Sequence, residues 1–141
     1  MLLQEIADSK VPYDIVKNNA SVIILESTIA DRVIRFFAEN TSADSGEDSW
    51  SVQFKEKTTL GKWTFDLTDS GDEFKVSAFV MAGMKFLVQL HSPAIIECTA
   101  DTKSRGMLYK RLFDRFFKSA YTSYIRLQHD NGEYELRMVK N

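Results

Sequence analysis

Over residues 50–55 (Trp-Ser-Val-Gln-Phe-Lys) apolar and polar side chains alternate strictly. Residues 74–90 instead form a long apolar stretch interrupted by Lys75, Lys85 and Gln89. A strand turns successive side chains to opposite faces, whereas a helix returns to one face every three or four residues. The chain must therefore carry both kinds of element, strands first. Residues 21–26 and 32–37 are β-branched and aromatic runs of strand length, separated by a turn at 27–31, and the polar stretch 41–49 reads as a hairpin loop. Alternation returns at 63–67, after Thr58-Thr59-Leu60-Gly61. Residues 21–68 thus predict an antiparallel meander.

Asp69, Asp72 and Glu73 supply the carboxylates of a helix start, and His91-Ser92-Pro93 ends that helix. Residues 94–100 form a short, nearly continuous apolar run. That pattern suits an interior strand reached through a helical crossover, and so one parallel to the strand before it. Asp101 or Thr102 caps a second helix over about 103–118, with Leu108, Tyr109, Leu112, Phe113, Phe116 and Phe117 on one arc. Asn131-Gly132, between the candidate strands 124–128 and 134–138, is a strong hairpin signal. Residues 1–20 read as a short helix or an extended arm ending near Pro12. The whole predicts one α/β (α+β) domain over 1–141: a meander, then α-β-α, then a C-terminal β-hairpin.

Several function classes recede. Lys and Arg number 18 against 20 Asp and Glu, so no global basic field draws nucleic acid. The charge is uneven, however: residues 1–100 carry -6 and residues 101–141 carry +4. The lone Cys98 forms no internal disulfide and reads as a buried, inert thiol. His91 (a helix C-terminal residue) and His129 (in a hairpin turn) lie too far apart to suggest a zinc set, so no metal is expected. Acidic residues follow Met1 where a leader needs a basic patch, and 74–90 is too polar to span a bilayer, so neither a targeting segment nor a membrane partner is expected.

Residues 93–112 hold Pro93, Ile96, Ala100, Arg105, Leu108, Tyr109 and Leu112 in the spacing Pro-x-x-Ile-x-x-x-Ala-x-x-x-x-Arg-x-x-Leu-Tyr-x-x-Leu. With the aromatic meander before it and the hairpin after it, this segment resembles small bacteriophage proteins with a reduced GNAT acetyltransferase fold, over residues 20–140. The resemblance implies a location in the cytoplasm of an infected host or in the virion. In a working enzyme of that family the loop before the central helix holds the coenzyme A pyrophosphate on backbone N–H groups. Here Ser70, Gly71 and Asp72 would be the acetyl-CoA contacts and Tyr109 the acid that protonates the departing thiolate. That loop has a single glycine and no preceding basic residue, and its carboxylates at 69, 72 and 73 already occupy the positive end of the dipole.

Tyr109 also reads as a core aromatic, and Asp66 and Glu97 as solvent-facing carboxylates rather than general bases. Arg105 falls inside the apolar arc, where it either contacts a carboxylate or phosphate or pins Asp101, Glu97 or a backbone carbonyl. Lys110, Arg111 and Arg115 form an exposed basic face, and Trp50, Phe54 and Trp63 a candidate apolar docking surface. The expectation is a non-catalytic protein without a cofactor that binds a phage or host protein, or further copies of itself head to tail. The alternative is an acetyl-CoA-dependent N-acetyltransferase with a degenerate loop.

Overall fold

The computed structural model describes residues 3–64, 73–130 and 133–141. It is a mixed α+β structure built on one eight-stranded sheet. Helix α1 (Leu3–Asp8) leads into β1 (Asp14–Asn18), β2 (Val22–Ile29) and β3 (Arg32–Asn40). The single turn α2 (Ser42–Ser45) precedes β4 (Ser49–Lys57) and the two-residue β5 (Trp63–Thr64). Then follow α3 (Glu73–His91), β6 (Ile95–Ala100), α4 (Lys103–Phe116), β7 (Tyr121–Gln128) and β8 (Tyr134–Lys140). The sheet order is β1-β2-β3-β4-β6-β8-β7, with β5 paired to the end of β4.

The meander is present across the described part of 21–68, with three corrections. β2 continues through the expected turn to Ile29, because Ser27 is buried and bonded to the Pro12 carbonyl at 2.7 Å. The true turn is Ala30-Asp31, both in the left-handed region at φ 49° and 62°, a two-residue reversal made here without glycine or asparagine. The 41–49 loop holds the turn α2, and Ser49 already belongs to β4. The N-terminal arm is a helix followed by a strand, β1, that pairs with β2. All five β1 residues are exposed, so no buried alternation marked the strand in the sequence.

β6 runs parallel to β4, Ser49 opposite Ile95 and Val52 opposite Cys98, rather than to the strand at 63 immediately before the helix. β5 lies on the same edge of β4, further along at Glu56 and Lys57. The expected 65–67 portion of that strand and the loop 69–72 lie outside the described residues, as does Asn131-Gly132. The antiparallel β7–β8 pair expected to flank Asn131-Gly132 is present.

Ile23, Ala38, Val52, Cys98 and Leu136 stand opposite one another from strand to strand, and all are buried. Against this face lie α1, α3 and α4. Ile6 of α1 joins the core. Gly83 brings α3 so close to β3 that an added Cβ would lie 2.4 Å from the Phe36 ring, and Gly106 brings α4 as close to Tyr134. Thr102 caps α4 with extended backbone, its hydroxyl accepting from the Arg105 N–H at 3.2 Å. The opposite face of the sheet carries no helix among the described residues except the turn α2 at its rim.

Candidate functional site

The helix-side face holds the chemistry the sequence singled out. Tyr109 is 1% exposed, packed between Phe54 and Phe113 at ring-centroid distances of 5.8 and 6.2 Å. Burial pushes its hydroxyl pKa up, and the hydroxyl has no hydrogen-bond partner among the described residues. Arg105 is buried against Asp101 one turn earlier, the guanidinium donating to the carboxylate at 2.6 Å. This is the pinning role rather than an exposed anion contact, a correction that follows from the helix arc on which Arg105 falls. Cys98 is buried as expected, its thiol pushed up to about 12 by burial.

Trp50 and Phe54, read as a docking surface, are in the core at 1% and 2% exposure. The alternation was right but the face was inward, because β4 is the central strand and α3 and α4 cover that side. Trp50 stacks on His91 at 4.6 Å, so the last residue of α3 closes over the indole. Trp63 alone of the three stands on the opposite face, half-buried under the Arg35 guanidinium at 3.9 Å.

That opposite face is organised by register. Its middle row is Ile24, Phe37 and Gln53, side by side on β2, β3 and β4. One step along lie Glu26, Arg35 and Lys55, and one step the other way Val22, Glu39 and Ser51, with Glu97 beside Ser51 on β6. Arg35 donates to Glu26 through Nε at 2.8 Å, and the Lys55 ammonium lies 5.1 Å from the Phe37 ring centre. Cations lying over ring faces are attracted by the ring quadrupole while their stems cover apolar surface.

Toward β6 and β8 the face dips into a cavity of about 380 Å3 rimmed by Asp44, Ser45, Glu97, Thr99, Arg126 and Glu135. Glu97 is engaged by Arg126, and Glu135 by His129 at 3.2 Å. Arg35, Phe37, Lys55, Glu39 and Glu97 were therefore the face to find. The signal was present, as they occupy the alternate positions of strands whose other residues are core.

The outer surface of α4 is basic as expected. Arg111 and Arg115 are exposed, Arg115 lies over Phe116, and Lys110 is engaged by Asp114 at 2.8 Å and by the Ser123 carbonyl. Ser70, Gly71 and Asp72 lie outside the described residues. Among the described residues no three His, Cys, Asp or Glu side chains gather as a metal site needs, and no helix is long and apolar enough to cross a membrane. No family model, curated protein or solved structure matches the chain.

Proposed function

We propose that this is a non-catalytic interaction protein, of the kind the resemblance to reduced GNAT-like bacteriophage proteins implies, which binds a protein partner through the open face of its sheet. One observation carries the reading: α1, α3 and α4 share one side, so the other is left as a broad platform of paired charges and half-buried rings. Protein contact surfaces combine aromatic and arginine anchors with a polar rim, and this face has both. In the resemblance's own terms the fold supports a scaffold. A meander leads through α3 to β6 parallel to β4, and α4 then places Tyr109 inward, between two phenylalanine rings, where it has no exposed route to a thiolate. The proposed setting is the cytoplasm of an infected host or the virion itself.

Calorimetric titration of the full chain with acetyl-CoA tests the non-catalytic reading. A flat trace is expected. A saturable micromolar isotherm would overturn it in favour of the acetyltransferase alternative, whose support is the partnerless Tyr109 hydroxyl.

A further inference from the structure

We infer that the occupant of the open face is a second copy of this chain, joined face to face about a two-fold axis that lies along the middle row and crosses the strands. The inference rests on the reading of that face as a contact surface and names its partner. A two-fold interface must be self-complementary: whatever lies on one side of the axis must suit what lies on the other. The register meets this condition at its centre. There the uncharged stretch Ile24, Phe37 and Gln53 would meet itself, and the row's charged members, Lys17 on β1 and Glu135 on β8, lie out at the rim. On one side of that row Arg35, Lys55 and Lys57 outnumber Asp14 and Glu26, and on the other Glu39, Asp44, Glu47 and Glu97 outnumber Arg126 and Arg137. Rotation about the row lays the cationic end of each copy over the acidic end of the other, Arg35 and Lys55 toward Glu39 and the α2 turn.

Size agrees as well. Seven strands spaced about 4.8 Å apart and about 25 Å long present roughly 750 Å2. A stable dimer needs about 800 Å2 from each partner. The charges lie at the rim, where they set orientation and association rate, and Phe37 and Ile24 lie at the centre, where burial supplies affinity.

Sedimentation velocity of the full chain across micromolar concentrations tests this. A dimer is expected, with Lys55→Glu and Glu39→Arg each weakening it at least tenfold and the double variant Arg35→Glu/Glu39→Arg restoring it, since the rotation lays Arg35 of one copy over Glu39 of the other and both charges are then reversed. Phe37→Lys should give a monomer, with circular dichroism confirming that the variant is folded. Lys55→Glu, an exchange on the solvent side, guards against loss of fold at Phe37. A wild-type monomer at 100-fold above micromolar concentration, or a dimer indifferent to both Lys55→Glu and Phe37→Lys, overturns the second-copy inference. Neither result touches the non-catalytic reading, which only an acetyl-CoA isotherm overturns.

Discussion

Replacing Gly83 by alanine isolates how tightly α3 is set on the sheet. In an exposed helix the change would stabilise by about 1 kcal/mol, because alanine loses less backbone entropy on folding. Here the new methyl would lie 2.4, 2.7 and 2.8 Å from three carbons of the Phe36 ring, where carbon atoms prefer about 3.5–4.0 Å. The ring cannot swing aside like the end of a lysine. It is fully buried and packed on Phe54 at a centroid distance of 5.5 Å. Either the ring or the helix must move by about 1 Å, and overpacking of this kind costs about 1–3 kcal/mol. The clash offsets or outweighs the propensity gain, leaving a net loss of up to about 2 kcal/mol. At about 2–4 °C per kcal/mol for a chain of this size, Tm should fall by up to about 8 °C in a circular-dichroism melt. In a Phe36→Leu background the penalty should shrink by at least about 0.5 kcal/mol, the signature of two residues in contact. A Gly83→Ala variant that melts higher than the wild type would show propensity acting alone, and the close approach of α3 to β3 would be wrong.

Two further outcomes follow from buried polar atoms. Tyr109→Phe should leave stability in urea unchanged or raise it by up to about 1 kcal/mol, because a partnerless buried hydroxyl is a cost; a loss beyond about 1 kcal/mol would reveal a hydrogen bond to that oxygen. Because burial pushes the Cys98 thiol up to about 12 while the unfolded chain's thiol ionises near the ordinary value of about 8.5, the unfolded state releases a proton that the native state keeps; this contribution is fully present below about pH 8.5 and is lost as pH rises toward about 12. Cys98→Ala should flatten the alkaline fall in unfolding free energy, and an unchanged slope would refute the assignment.

What the sequence made legible was whatever one face of an element could announce by itself. The period-two pattern of β4 and the arc of α4 follow from burial on one side, the apolar length of α3 follows from burial nearly all round between Val76 and Met81, and each is in the structure. β1 was not legible because it is held only by backbone pairing to β2 and exposes every side chain. The turn expected at 27–31 contains the Ala30-Asp31 reversal but was drawn too wide, because Ala30 is not a residue that turns of this hand favour and nothing local marked Ser27–Ile29 as strand. The docking surface was misplaced for a topological reason. Alternation shows that Trp50, Val52 and Phe54 share a face, but which face is covered depends on where α3 and α4 cross, and that is decided by the pairing of β4 with β6. Arg105 was readable as a paired cation, and Asp101, four residues earlier, was among the partners its position allowed.

The bare face is itself a consequence of connection lengths. Residues 19–21 join β1 to β2, with the Asn19 side chain accepting from the Ser21 and Val22 N–H groups, and two residues join β2 to β3. The link from β3 to β4 holds only the single turn α2. A covering helix needs a longer link, and α3 and α4 occupy the long connections described on either side of β6, both on the same side of the sheet. Exposed rings on the other face would be an aggregation hazard, and the chain meets it by laying Lys55 over Phe37 and Arg35 over Trp63. Those cations keep the free surface wet and, in the dimer proposed above, would be the first point of attraction for the acidic end of the other copy. Salt should therefore slow association through this face more than it hastens dissociation, since the buried middle row, not the rim charges, holds the complex once formed.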